Sequence, residues 1–262
     1  MMVWAGILVV GNEILEGIVL DTNSNWLAVR LKGLGIPVKE VMVVRDDVDE
    51  IAKALRRMLE DGCRLVITSG GLGPTHDDKT LQGVARAFGL RLELNEEALR
   101  IVERQYRMLY ERGVVKSPDL TEPRRKMAVL PEGAQPLDNR VGGAPGVLLR
   151  VGEAVIVSLP GVPAELKWIF DNVVADVIKE TGEGFLEEKI LELPSADESA
   201  LASHLEEVMK RVPGVYVKTM PRLEGRFRIW VSARASSREE ARRMVERASK
   251  LLMELVGSSK PS

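Results

Sequence analysis

Residues 68–78 read Thr68-Ser69-Gly70-Gly71-Leu72-Gly73-Pro74-Thr75-His76-Asp77-Asp78 and follow an apolar run that predicts a strand at 65–68. Three glycines after a strand let main-chain amides approach an anion closely, and the start of a following helix attracts negative charge. Two adjacent carboxylates at that helix start suit a divalent metal or a positioned water. The structural alternative is a glycine turn with an aspartate as helix cap. The string is neither a Walker A loop nor a dinucleotide fingerprint.

The segments on either side of this loop alternate between strand and helix patterns. Continuous apolar runs predict buried strands at 4–10 and 38–44, and spaced apolar residues predict helices at 23–34, 51–59, 78–88 and 95–112. Paired strands are predicted at 147–151 and 155–159, and a helix from 163 to about 180. The fold class predicted is α/β, a three-layer α/β/α arrangement with a mainly parallel sheet. The Pro-, Gly- and Arg-rich stretch 117–146 is predicted to be irregular.

A second pattern begins after Thr181-Gly182-Glu183-Gly184, which is the predicted domain boundary. The order strand, helix, strand, strand, helix predicts a small α+β module. We therefore expect one domain at 1–182 and another at 183–262.

Composition excludes several classes of protein. The 262 residues include 37 Lys and Arg against 39 Asp and Glu, which gives a formal charge of −2 and no overall basic field for nucleic acid. A single cysteine, Cys63, excludes an internal disulfide framework and a cysteine-cluster zinc site. No apolar stretch approaches the roughly 18 residues of a membrane span. The apolar start of the chain is typical of a first strand and not of a signal peptide, so we expect a cytoplasmic protein without a membrane partner.

The site is predicted where the strands of the first domain end, because open α/β sheets bind ligands outside that edge. Four segments converge there by this prediction: 11–23, 68–78, 139–146 and 159–165. Glu13 and Asp21 would add carboxylates to the rim, although Asp21 could equally only cap a helix. Asp46 and Asp47 are predicted to be helix caps. Arg124-Arg125-Lys126 is either a phosphate-pairing cluster or a solvated run of charge.

Five strings together resemble the molybdopterin-binding (MoaB/MogA-like) domain superfamily, and more closely the first domain of CinA-type (competence/damage-inducible) proteins. They occur in the family order: Gly-Asn-Glu-Ile-Leu-x-Gly at 11–17, Asp-Thr-Asn at 21–23, Gly-Gly-Leu-Gly-Pro-Thr-x-Asp-Asp at 70–78, Lys-x-Ala-x-Leu-Pro-Glu-Gly-Ala at 126–134, and Leu-Pro-Gly-Val-Pro-x-Glu at 159–165. The small module resembles the KH-like module of CinA-type proteins by order and position. The amidase domain of full-length CinA has no counterpart in these 262 residues.

The resemblance implies metal-dependent hydrolysis of a nucleotide diphosphate, with ADP-ribose or FAD as the type of substrate and Mg²⁺, Mn²⁺, Co²⁺ or Ni²⁺ as cofactor. Asp78, Asp77 and Lys126 are then expected to serve catalysis, and Glu13, Asp21, Asp77 and Asp78 to hold the metal. The remaining matched positions are expected to bind the ligand and its phosphates: Gly70, Gly71, Gly73, Thr75, Asn139, Gly146 and Gly161. Met127 and Gly143 stand where many relatives have Gln and Thr.

Two other functions compete with this one. The resemblance also implies a protein that binds or adenylylates molybdopterin, which would make a pterin the ligand. An RNA-binding small domain is the third, but no Gly-x-x-Gly clamp occurs in 183–262. We expect a small-molecule nucleotide or pterin ligand, no nucleic acid, and a homodimer, with the small domain serving dimerisation or covering the site.

Overall fold

The computed structural model describes residues 3–178, 185–193, 198–223 and 226–258. The chain forms two compact units, Met1–Gly182 and Glu183–Ser262. The predicted boundary at 181–184 lies outside the described residues. None of the helices in the described part is long and apolar enough to cross a membrane.

The first unit alternates strands and helices in the predicted way. Its elements are β1 (Trp4–Val10), α1 (Asn12–Leu15), α2 (Asn23–Gly33), β2 (Val38–Val44), α3 (Val48–Glu60), β3 (Cys63–Ser69), α4 (Thr80–Phe88), β4 (Leu92–Leu94), α5 (Glu96–Glu111), α6 (Glu122–Lys126), β5 (Val129–Pro131), β6 (Gln135–Leu137), β7 (Gly146–Val151), β8 (Ala154–Leu159), α7 (Pro163–Ile169), a π-helical turn (Phe170–Val174) and α8 (Ala175–Ile178).

Six of these strands form one sheet in the order β2-β1-β3-β8-β7-β6. Strands β2, β1, β3 and β8 are parallel, whereas β7 runs antiparallel to both β8 and β6. The predicted α/β fold with a mainly parallel sheet is confirmed.

Helices cover both faces of the central part of this sheet, which explains why β1 is apolar without interruption. Along β1, Leu8 and Val10 join the core beneath α3, α4 and α5. Ile7 and Val9 point to the other face and join the core beneath α2 and α7. Successive side chains of a strand alternate between faces, so a strand covered by helices on both sides needs apolar residues at every position. Cys63 is buried, as expected, and burial raises the pKa of its thiol to about 11.

Three predictions for the first unit need correction. The stretch 117–146 is not wholly irregular, because it contains α6, β5 and β6, whose three- to five-residue lengths are too short for a periodic pattern. The helix that starts at Pro163 passes through a π-helical turn before it resumes as α8. Helix α4 begins at Thr80 and not at 78, because Asp78 accepts a hydrogen bond from the Thr75 amide and so closes a turn before the helix.

The second unit has the predicted order of elements. They are β9 (Phe185–Leu193), α9 (Glu198–Arg211), β10 (Val215–Leu223), β11 (Arg226–Ala235) and α10 (Arg238–Ser258). The strands form an antiparallel sheet in the order β10-β11-β9, and its core includes Val217, Ile229, Val231, Leu205 and Leu252. This smaller antiparallel-sheet unit confirms the expected α+β class.

Candidate functional site

A cavity of about 510 Å³ opens at the carboxyl ends of β1, β3 and β8. All four predicted segments contribute to its wall, and the prediction that they converge is confirmed. The residues that line it are Val9, Val10, Glu13, Ile14, Val19, Leu20, Asp21, Thr22, Asn23, Asp46, Ser69, Gly70, Gly71, Leu72, Gly73, Pro74, Asp77, Asp78, Tyr106, Met127, Gly143, Ala144, Pro160, Gly161, Val162, Pro163 and Glu165.

Gly70 turns the chain sharply at the floor of the cavity. Its φ angle of +104° lies in the region that favours glycine, and a Cβ at this position would stand 2.2 Å from the carbonyl oxygen of Val10. The Gly70 amide donates to the Leu159 carbonyl (3.0 Å), and the buried Thr80 hydroxyl donates to the Gly70 carbonyl (2.7 Å). The glycine loop is therefore fixed to both neighbouring strands and to the start of α4.

Asp77 and Asp78 are the acidic part of the loop, and Thr75 contacts both of their carboxylates. The Thr75 hydroxyl oxygen lies 2.5 Å from Asp77 Oδ1 and 2.5 Å from Asp78 Oδ2, while the Thr75 amide donates to Asp78 Oδ2 at 2.8 Å. The hydroxyl bond to Asp77, followed by the Asp77 amide, lowers the pKa of the Asp77 carboxyl. The cap of α4 is Lys79, without a side-chain bond, so the alternative that either aspartate only caps this helix is wrong.

Lys126 holds this loop from the outside. Its ammonium donates to the main-chain carbonyls of Thr75 and Asp78, the latter at 2.8 Å. Lys126 does not line the main cavity but a second one of about 370 Å³, which shares Gly71, Gly73 and Asp78 with it. In this position Lys126 orders the carboxylate-bearing turn.

The other two cations of the Arg124-Arg125-Lys126 cluster have different surroundings. Arg124 stacks on the Tyr106 ring (3.9 Å) and donates to the carbonyls of Ser117 and Asp119. Arg125 lines the second cavity. A solvated run of charge does not describe this cluster, because two of its three cations bind main-chain oxygens.

Asn23 joins three of the four segments inside the wall. Its Nδ2 donates to Ser69 Oγ (3.0 Å) and to the Gly161 carbonyl (2.8 Å). Since a carbonyl only accepts, the amide has one possible orientation, and its buried Oδ1 has no partner among the described residues. An unpaired buried acceptor is costly, so this oxygen is a candidate contact for a ligand donor or a water.

Thr75, which is expected to bind the ligand, does not line the cavity. Asn139 and Gly146 do not line it either. Asn139 is fully buried behind the wall, where it donates to the Ala144 carbonyl and to Glu165 Oε2, both at 2.7 Å. Gly146 begins β7 and lies within contact of Ile169, Leu137 and Leu159. Neither residue is therefore placed to contact a ligand in the cavity directly. Asn139 is connected to the cavity through its hydrogen bond to Glu165, which lines the wall.

Asp21 and Asp46 combine a local role with a place in the cavity wall. Asp21 accepts from the amide (3.0 Å) and hydroxyl of Ser24 in the first turn of α2, so the predicted capping role is present alongside exposure to the cavity. Asp46 accepts from the Asn12 amide (2.8 Å) at the start of α1, and not from its own helix. Asp47 caps α3 as predicted.

The charge of the cavity wall is one-sided. Six carboxylates line it: Glu13, Asp21, Asp46, Asp77, Asp78 and Glu165. None of the described lining residues is Lys, Arg or His. A phosphate ligand entering such a wall meets glycine amides and a helix start that attract it, and carboxylates that repel it.

The six carboxylates do not form a compact metal cage. Across residues 3–178, 185–193, 198–223 and 226–258, no three His, Cys, Asp or Glu side chains are grouped so that they could hold a metal ion. Asp77 and Asp78 share Thr75, whereas Glu13 packs its carboxylate against Gly11 elsewhere on the wall. Magnesium is commonly held by one or two carboxylates together with substrate phosphates, and the Asp77–Asp78 pair fits that mode.

Asn23, Asp46, Tyr106 and Glu165 are among the wall residues to which the sequence assigns no ligand role. Asn23 and Glu165 stand inside quoted motifs, but a helix-start position suggests capping for both. Asp46 follows the end of β2 and Tyr106 lies within α5, and their place in the cavity wall depends on tertiary packing. No sequence signal distinguishes them from ordinary caps and core residues.

Comparison with known proteins places the chain in a family. A protein of Pyrobaculum arsenaticum is 42% identical over 260 residues, covering 97% of this chain and 95% of that protein. A protein of Aeropyrum pernix is 42% identical over 263 residues, with the same coverage of both. The crystal structure of CinA from Thermoplasma acidophilum, described as of unknown function, matches with a TM-score of 0.61 and 39% identity, over 68% of this chain and 99% of that one. The chain belongs to the family described as Probable molybdopterin binding domain, whose model matches residues 6–180.

Proposed function

We propose that this protein is a divalent-metal-dependent nucleotide pyrophosphatase, which hydrolyses diphosphates such as ADP-ribose or FAD to give AMP. The observation that carries the proposal is a cavity wall with a glycine loop for phosphate, whose described residues include six carboxylates and no basic side chain. An anionic diphosphate binds such a wall only when a cation accompanies it, because like charges repel strongly in a partly desolvated site.

Asp77 and Asp78 are the residues proposed to hold that cation, and Thr75 and Lys126 hold the two aspartates in place. A divalent ion supplies charge neutralisation of the phosphate oxygens and of the charge that develops on them. The amides of Gly71 and Gly73 would bind the phosphates, whereas the Gly70 amide is bound to the Leu159 carbonyl. Asn23 Oδ1 is available to accept a hydrogen bond from a hydroxyl or amine of the ligand.

A second candidate function is binding or adenylylation of molybdopterin, and the family match favours it. A pterin with its phosphate would use the same glycine loop. It would not require hydrolysis, and the carboxylates would then act in ligand selection.

The test measures AMP release by chromatography from ADP-ribose, FAD and NAD, each with Mg²⁺, Mn²⁺, Co²⁺ or Ni²⁺. We expect AMP in the presence of a cation, a fall to about 1% or less after excess chelator, and recovery when the cation is restored. The size of the fall follows from the loss of charge neutralisation at the phosphates.

Two outcomes contradict this proposal. One is AMP release that continues in excess chelator, which would show that hydrolysis does not need a divalent cation. The other is no AMP in any condition together with pterin fluorescence that copurifies with the protein, which supports the second candidate.

A further inference from the structure

Glu165 is a partly buried carboxyl of the cavity that the proposed function leaves without a role. It is the third residue of α7, in the first turn. A glutamate at that position commonly reaches back to the main-chain amide of the cap residue. Here it turns away from its own helix, toward Asn139 and the cavity.

The carboxyl of Glu165 is held in one position. Its Oε2 accepts from Asn139 Nδ2, whose other hydrogen goes to the Ala144 carbonyl. Asn139 Oδ1 accepts from the amides of Val141 (2.9 Å) and Gly142 (3.1 Å), so Asn139 has all its bonds and cannot rotate without cost.

Gly142 lies directly against the carboxyl of Glu165. A Cβ at position 142 would stand 1.9 Å from Glu165 Cδ, so the carboxyl has main chain on one side. The other oxygen, Oε1, has no hydrogen-bond partner among the described residues. Glu165 lines the cavity and therefore has there a fixed carboxylate with one oxygen that is not used by the described residues.

The surroundings of Glu165 make its carboxylate more basic. Burial raises the pKa of the Glu165 carboxyl, and the Asn139 bond only partly opposes this. A carboxylate with a raised pKa is a better proton acceptor near neutral pH than an ordinary one.

Other groups near Glu165 also bear on its charge. Tyr106, whose phenol pKa is raised by burial, lies on the same side of the cavity, and Arg124 stacks on the Tyr106 ring. Among the described residues of the wall, the remaining charged groups are the other five carboxylates. A phosphate ligand adds negative charge and favours protonation of Glu165 further.

We propose that Glu165 accepts the proton of the water that attacks the diphosphate; this inference rests on the proposed pyrophosphatase function. The water oxygen forms a bond to one phosphorus, and the bond from that phosphorus to the bridging oxygen breaks. The bridging oxygen leaves with the second phosphate and keeps the electron pair. The water proton passes to Oε1 of Glu165 and later returns to solvent.

The test compares the pH dependence of kcat for AMP release in the wild type and in Glu165→Gln. Glutamine keeps an oxygen for Asn139 and removes the base. We expect kcat to fall by about 100-fold or more, with KM within about threefold. The wild-type rate falls as the pH drops through the raised pKa of Glu165, since activity needs the ionised form, and Glu165→Gln lacks this acidic limb.

The matched control is Glu97→Gln, which removes another first-turn glutamate, on α5 and exposed. We expect wild-type activity and the wild-type pH profile. Should Glu165→Gln fail to fold, Glu165→Ala with added formate replaces it, and formate is expected to restore the rate severalfold.

A fully active Glu165→Gln with the wild-type acidic limb overturns the inference and leaves the pyrophosphatase intact. So does a Glu165→Ala variant that is folded, inactive and unaffected by formate. A wild type that releases no AMP under any condition overturns the proposed function, and the role of Glu165 with it.

Discussion

Replacement of Asp78 by asparagine is expected to lower the rate of AMP release from ADP-ribose by about a thousandfold, with the fold intact. Asparagine keeps an oxygen that accepts from the Thr75 amide, the bond that closes the turn. It removes a negative charge from the pair that is proposed to hold the cation against the phosphates. Loss of one electrostatic contact to the reacting phosphates commonly costs a factor of about 100 to 1,000, and we place a metal ligand near the upper end of that range. Initial rates with saturating Mg²⁺ or Mn²⁺, together with a thermal unfolding midpoint, measure both effects.

The matched control for this variant is Asp61→Asn. Asp61 is an exposed aspartate at the end of α3, and it forms a surface ion pair with Arg57 at 3.5 Å. We expect wild-type turnover and an unfolding midpoint within about 2 °C, because exposed ion pairs contribute little to stability. Full activity of Asp78→Asn in a metal-replete assay would falsify the metal-binding role of Asp78.

Replacement of Gly70 by alanine is expected to destabilise the first unit by about 4 kcal/mol and to abolish ligand binding. The new Cβ would stand 2.2 Å from the Val10 carbonyl oxygen, a main-chain atom that cannot rotate away, and the φ of +104° is strained for alanine. Backbone strain and overpacking each cost about 1–3 kcal/mol, and here they act together. For a unit of this size we expect the unfolding midpoint to drop by about 10 °C.

Gly133→Ala separates the two causes. Gly133 also has a positive φ, +79°, but a Cβ there would have nothing within 4 Å. We expect a loss of about 1 kcal/mol, from strain alone. Equal midpoints for the two variants would show that the close approach of Gly70 to β1 is not what fixes the loop.

The fold was largely predictable because its sheet is covered on both faces. A strand such as β1 must then be apolar throughout, and helices such as α3 show a 3.6-residue period, so both signals are strong over seven or more residues. The parts that were missed, α6 and the short strands β4 to β6, have three to five residues and show no period. The start of α4 was placed two residues early, because a turn closed by Asp78 and a helix start capped by Asp78 have the same local sequence.

The site residues could be predicted where local sequence sets their position in the chain. They could not be predicted where their position depends on contacts with residues far away in the sequence. Glycines 70, 71 and 73, with Asp77 and Asp78, follow directly from a strand end, and the cavity contains all five. The position of Lys126 behind the loop depends on α6, and the burial of Asn139 depends on Glu165, 26 residues later. The position of Asn23 at a helix start predicts a helix cap. Its side-chain amide instead donates to Ser69 and Gly161, which lie 46 and 138 positions further along the chain.

The most direct measurement is calorimetric binding of an ADP-ribose analogue whose bridging oxygen is replaced by a methylene group, with Mg²⁺ and with excess chelator. Hydrolysis is blocked, so the titration reports only whether the carboxylate-lined cavity takes a diphosphate with its cation. We expect binding with Mg²⁺ and an affinity about 100-fold weaker, or undetectable, with chelator. Equal affinity in both conditions, or no binding with Mg²⁺, would contradict it.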